Sequence, residues 1–245
     1  MNLLNIIPII LFSVMCETLE VNNKSQHYGN NSRDKLEFNE NNTNKVSATE
    51  DYPKNKVQIK VYYESLCPGS IDFFKNQLRP AVEALAPFLD IHLVPYGNAK
   101  TREVSGHFYF KCQHGPEECF VNRLHACAVD VLRNESQAVI FNACLMQYSK
   151  FRRLPKFDYR IVVSWCNYTL QLRTQGIWEC VNGDRSSALL KAYGVETRAL
   201  RISYVPYVVL GSSTDGPDDA GGDLMSTICH KLNPAPPPCE KWIGA

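Results

Sequence analysis

Within about forty residues the chain runs strand, cysteine, helix, strand, and that order narrows the available folds more than any other stretch of it. Val57-Gln58-Ile59-Lys60-Val61-Tyr62-Tyr63-Glu64 is rich in β-branched and aromatic residues and reads as a buried strand. Ser65-Leu66-Cys67-Pro68-Gly69-Ser70 follows it. Ile71, Phe73, Phe74, Leu78, Val82 and Leu85 then recur at helical spacing, which predicts a helix over about 69–86, kinked at Pro80. The apolar run Asp90 to Tyr96 predicts a second strand. Together they form a βαβ unit whose helix begins at a lone cysteine.

A cysteine at the junction of a strand and a helix N-terminus is chemically exposed. Unpaired backbone N–H groups and the helix dipole favour an anion there, and the thiolate is the species that attacks disulfides. The chain has ten cysteines, a load that points to an oxidising compartment. Residues 1–16 carry a short apolar core, Leu3 to Met15, that reads as a secretory signal ending near Cys16 and is too short to span a bilayer comfortably. Its removal leaves Cys67, Cys112, Cys119, Cys127, Cys144, Cys166, Cys180, Cys229 and Cys239. Eight can pair and one cannot, so Cys67 is expected free and the others are expected in four structural disulfides, for which 105 pairings are open.

Other features agree with a secretory route. Asn23, Asn30, Asn41, Asn134 and Asn167 open N-x-Ser/Thr sequons, of which the last two fall inside the folded region. Residues 17–56 are Asn-rich without apolar periodicity and read as a disordered segment or a removable pro-segment. No later apolar stretch has transmembrane length, so no membrane span is expected. A net charge of +1 without a basic block gives nucleic acid no footprint.

The folded domain is expected over 57–232, with a mostly helical middle at about 117–200. Apolar stripes through Leu124 to Leu132, Val139 to Tyr148 and Ala188 to Tyr193 mark its helices, the last expected to stop at Gly194. Ile202 to Gly211 is apolar, and Pro206 within it fits a strand's first residue. In the βαβ context Val205-Pro206 is expected cis, opposite Cys67, with the Val205 backbone free to pair with an extended peptide. Asp215 to Gly222 reads as a turn-rich connection, Leu224 to Leu232 as a short helix, and 233–245 as a proline-rich tail. His92, in an apolar strand, reads as a hydrogen-bonded core residue. His107, His114, His125 and His230 show no i, i+4 carboxylate pairing of metalloprotease type.

Cys112 to Cys127 holds three cysteines and two histidines, but not at zinc-finger spacing, and an oxidising compartment favours bridges over thiolate ligation. No metal and no cofactor is expected. The same run matches CQHG-x-x-EC-x-x-N-x-x-x-x-C without a mismatch and resembles the signature of the gamma-interferon-inducible lysosomal thiol reductase family. The resemblance extends over about Val57 to Leu232. It implies an α/β, thioredoxin-like fold with a disulfide-stabilised helical insertion, reduction of client protein disulfides, glycosylation, and a secreted or lysosomal location. It also assigns Cys67 as attacking thiol and Pro206 as the client-side proline.

The chain departs from that family at one position. Where the family has C-x-x-C, it has Cys67-Pro68-Gly69-Ser70. The expected chemistry is therefore monothiol exchange. The mixed disulfide would be released by the client's own thiol or by a small thiol such as glutathione or cysteine, with the Ser70 hydroxyl hydrogen-bonded to the Cys67 thiolate. The alternative is a family member with reduced catalysis that serves as a disulfide trap or a non-covalent binding protein.

Overall fold

The structure, a computed structural model, describes residues 56–155, 157–211 and 223–243. The signal sequence, all but the last residue of the 17–56 segment, Asn23, Asn30, Asn41 and the connection at 215–222 lie outside the described residues.

Strand β1 (Val57–Tyr63) is the centre of a three-stranded sheet. It pairs in parallel with β2 (Leu89–Pro95), from Val57 opposite Leu89 to Tyr63 opposite Pro95. Between them runs a continuous helical segment: α1 (Pro68–Phe73), a π-helical turn (Phe74–Leu78) and α2 (Arg79–Leu85). The predicted kink thus takes the form of a π turn. Pro80 has no N–H to offer and its ring blocks the preceding carbonyl, and the wider turn just ahead of it absorbs the mismatch.

A hairpin that the sequence reading did not anticipate follows, β3 (Lys100–Val104) and β4 (His107–Lys111). Its two-residue loop, Ser105-Gly106, has both residues at positive φ, the conformation that matches strand twist. The helical insertion then comprises α3 (Pro116–Leu132), α4 (Glu135–Tyr148), α5 (Tyr159–Leu170), α6 (Ile177–Asn182) and α7 (Asp184–Ala199). Gly194 does not stop α7, which continues to Ala199. The glycine is there for space, since a Cβ at this position would lie 2.5 Å from the Tyr96 ring. Strand β5 (Tyr207–Leu210) returns antiparallel to β1, giving the order β2-β1-β5. Helix α8 (Leu224–Lys231) follows, and the proline-rich tail ends in a short 3-10 turn and α9 (Glu240–Ile243).

The result is a thioredoxin-like fold: a parallel βαβ unit, a helical insertion and an antiparallel strand entered through a proline. Two main cores hold it together. Ile59, Val61, Tyr63, Phe74, Leu78, Leu93 and Leu210 pack about the sheet. Leu124, Phe141, Leu145, Val163, Ile177 and Val181 form the interior of the insertion. Four bridges are closed, Cys112–Cys119, Cys127–Cys180, Cys144–Cys166 and Cys229–Cys239, and Cys67 is left free, as the cysteine count required. The last bridge pins the tail to α8.

Candidate active site

Cys67 is the N-cap of α1, with Pro68 in the first turn, where a missing N–H costs nothing. The strand-to-helix turn is closed by Cys67 N–H donating to the Glu64 carbonyl at 3.3 Å, and Ile71 N–H reaches back to the Cys67 carbonyl at 3.0 Å. The thiol is partly exposed, and its Sγ lies 3.8 Å from the Val205 carbonyl oxygen. The Val205–Pro206 bond is cis. A Cβ at Gly69 would meet Pro206 Cδ at 3.5 Å and Cys67 Sγ at 3.9 Å, so Gly69 stands between the two predicted site residues at ordinary contact distance. The structure thus brings together Cys67 and Pro206, which lie far apart in the chain.

Ser70 forms no hydrogen bond with the Cys67 sulfur among the described residues. It is fully buried, and its hydroxyl accepts a hydrogen bond from the Glu64 backbone N–H at 3.4 Å. That bond gives Ser70 a structural task in the active-site turn. A cavity of about 390 Å³ is lined by Leu66 and Pro68, the two chain neighbours of Cys67, together with Ile71 and Met146. Lys75, Lys150 and Arg152 at its edge outnumber the single acid, Asp72.

Directly behind the turn lies a group that the sequence reading missed. Glu64, three residues ahead of Cys67, is buried, and its Oε1 accepts the Asn98 N–H at 2.7 Å. Glu118, also buried, holds the His114 N–H through Oε1 at 3.0 Å and the His114 ring Nδ1 through Oε2 at 2.6 Å. His114 and Glu118 are therefore an i, i+4 pair after all, both from the signature run. His114 Nδ1 also stands 3.3 Å from Glu64 Oε2. Burial, and next the Glu118 carboxylate, push Glu64 up to about 7, against the lowering effect of the Asn98 N–H and His114. Gly97, at φ +59°, leaves room for this carboxyl, since a Cβ would fall 2.3 Å from Glu64 Cγ.

A second buried polar group joins the two cores. Asn142 Nδ2 donates to the Tyr63 hydroxyl at 3.1 Å, and the hydroxyl in turn lies 3.2 Å from His125 Nδ1. Ser65 N–H donates to Asn122 Oδ1, the asparagine of the signature, at 2.9 Å. Burial alone pushes His125 down to about 3. His92, by contrast, is not a core residue. Its ring is on the surface and pairs with Glu196 at 2.9 Å.

A parallel βαβ unit with a free thiol at its helix start, set against a proline-led strand, defines a protein of the thioredoxin-like class. Comparison with known proteins makes this specific. The family model "Gamma interferon inducible lysosomal thiol reductase (GILT)" matches residues 58–158. A gamma-interferon-inducible lysosomal thiol reductase-like protein of Anopheles gambiae is 30% identical over 79% of this chain and 84% of its own. The gamma-interferon-inducible lysosomal thiol reductase of Carassius auratus is 32% identical over 71% of this chain and 67% of its own. Among solved structures, a putative protein disulfide isomerase from Nitrosomonas europaea aligns with a TM-score of 0.47 at 13% identity, covering 74% of this chain and 97% of that one. The chain belongs to the gamma-interferon-inducible lysosomal thiol reductase family. That family is one of thiol reductases.

Proposed function

We propose that this protein is a monothiol member of its family, exchanging the disulfides of client proteins through Cys67 alone. The observation that carries the reading is the single free, partly exposed sulfur at the start of α1, with the other eight cysteines of the described residues closed in bridges and the resolving position occupied by buried Ser70.

The Cys67 thiolate attacks one sulfur of a client disulfide. A Cys67–client S–S bond forms as the client bond breaks, and the departing client sulfur leaves as a thiolate and takes a proton from water. An extended client lies along the Val205-Pro206 edge, whose carbonyl already meets the sulfur. If the client's own second thiol attacks next, the result is isomerisation. In net reduction, glutathione attacks Cys67 Sγ and frees the client thiol. A second glutathione then attacks the glutathione sulfur, releasing the Cys67 thiolate and glutathione disulfide. The cationic edge of the neighbouring cavity suits a small thiol that carries carboxylates.

Asn134 is exposed at the N-cap of α4 and Asn167 is partly exposed on α5, which supports their reading as glycan acceptors of a secreted or lysosomal protein. Among the described residues no helix is long and apolar enough to cross a membrane.

Insulin-disulfide reduction driven by glutathione, at acidic and neutral pH, tests the reading. Cys67→Ala should lower turnover by roughly a thousandfold or more, because no other nucleophile is in place. Turnover that survives Cys67→Ala overturns the proposal. Turnover seen only with Ser70→Cys favours the alternative, a trap whose mixed disulfide the chain itself cannot resolve.

A further inference from the structure

The side chains behind the active-site turn are arranged as ligands. Glu64 and Glu118 each commit one oxygen to the fold, Oε1 in both cases, held by the backbone N–H of Asn98 and of His114. Each turns its other oxygen, Oε2, toward the same imidazole nitrogen, His114 Nδ1. One ligand atom from each of the three residues falls within 4.8 Å of the others. Backbone donors that fix a carboxylate while leaving its second oxygen free are the outer-shell partners that metal ligands require.

The cluster is also short of positive charge. Both carboxylates are fully buried, while the imidazole is 29% exposed in its side chain and carries one proton at Nδ1 at most. That proton serves Glu118 Oε2 at 2.6 Å, and Glu64 Oε2 is left buried with no hydrogen-bond donor. An acceptor of this kind, aimed at two other ligand atoms, calls for a cation.

We propose that Glu64, His114 and Glu118 form a divalent metal site that takes Zn²⁺. The imidazole nitrogen selects a transition ion over Mg²⁺ or Ca²⁺, and two carboxylates with one imidazole make a three-ligand set that leaves a position for water. That position opens on the His114 side, where the cluster reaches solvent. Filled, the site ties the loop closed by Cys112–Cys119 to Glu64, just past the end of β1 and three residues ahead of Cys67. His114 and Glu118 of the signature would then act as ligands, while its cysteines act as bridges.

The test is direct Zn²⁺ binding to the disulfide-intact chain in a Cys16→Ala, Cys67→Ala background, which leaves no unbridged cysteine as a competing ligand. Calorimetry at neutral pH should show one Zn²⁺ per chain, and Glu64→Gln should weaken it by roughly tenfold or more. His114→Asn, at the exposed ligand, serves as second variant should Glu64→Gln fold poorly. Co²⁺ in place of zinc should give visible bands without the near-ultraviolet thiolate transition, which marks oxygen and nitrogen donors. Mg²⁺ should not compete. No binding at about 100 µM Zn²⁺, or binding that both variants leave unchanged, overturns the proposal.

Discussion

The sheet and the helical insertion are held together by different means. No cysteine lies within β1, β2 or β5, and the order of these strands rests on backbone pairing and on a core of Ile59, Val61, Tyr63, Leu93 and Leu210. The insertion is cross-linked twice through its interior, α3 to α6 by Cys127–Cys180 and α4 to α5 by Cys144–Cys166. A member of a thiol reductase family is served by keeping its own bridges out of reach of thiols. Cys127 and Cys166 are wholly buried, while the free sulfur of Cys67 is partly exposed beyond the end of the central strand, and access governs which sulfurs exchange. The sheet carries the free sulfur at its end, and the insertion carries sealed ones.

The largest way to break this contrast is to open a bridge. Cys127–Cys180 spans 53 residues, for which loop-closure entropy gives about 4 kcal/mol, and Cys144–Cys166 spans 22, for about 3 kcal/mol. Replacing Cys127 and Cys180 together by Ala should lower the urea midpoint more than the same change at Cys144 and Cys166. Equal losses from both pairs would mean that the cross-links act through local packing and not through the length of chain they close.

A smaller effect sits where the two halves meet, at His125 on α3 beneath Tyr63 of β1. Asn142 donates to the Tyr63 hydroxyl, whose own proton can then go to His125 Nδ1, the arrangement that suits a neutral ring. Burial pushes this histidine from 6.5 down to about 3. The unfolded chain then binds the proton first as the solution is acidified. The stability held by the neutral ring is present above the unfolded value and is lost as pH falls from about 6.5 toward 3. Measured as the difference between this chain and His125→Asn, the loss from pH 7 to pH 5 should be about 2 kcal/mol. A difference that does not change over that range would mean the ring takes up its proton in the native protein as readily as in the unfolded chain.

Sequence pattern made some of these features legible and hid others for definable reasons. The strand of β-branched residues, the helix behind Cys67 and the odd cysteine are local or arithmetic facts, and the βαβ unit, the four bridges and the free thiol followed from them, while the fold as a whole was implied by the signature. The β3–β4 hairpin was missed because its strands are short and mostly exposed, so burial stamped no apolar alternation on them. The Glu64–His114–Glu118 cluster joins the end of one strand to a loop some fifty residues later. Periodicity tells which face a residue takes but not which distant residue it meets. His92 was misread because the face of β2 that carries it is turned to solvent beside α7.

Gly194 was misread for a related reason, and it offers the smallest and sharpest test of how the halves fit. On helix propensity alone, Gly194→Ala should stabilise α7 by about 1 kcal/mol. Against that, the new Cβ would sit 2.5 Å from the Tyr96 ring. The ring cannot give easily, being fully buried with its hydroxyl bonded to Thr101 Oγ1 at 2.8 Å and to Arg198 Nη1 at 3.2 Å. Overpacking of this kind costs about 1–3 kcal/mol, so the clash should win and the variant should lose about 1 kcal/mol net. The double variant with Tyr96→Leu, which removes the ring's far edge, should recover the helix gain. If Gly194→Ala instead raises the melting temperature, α7 is free to shift against the strand end, and the insertion is tied to the sheet less tightly than the contact at Tyr96 implies.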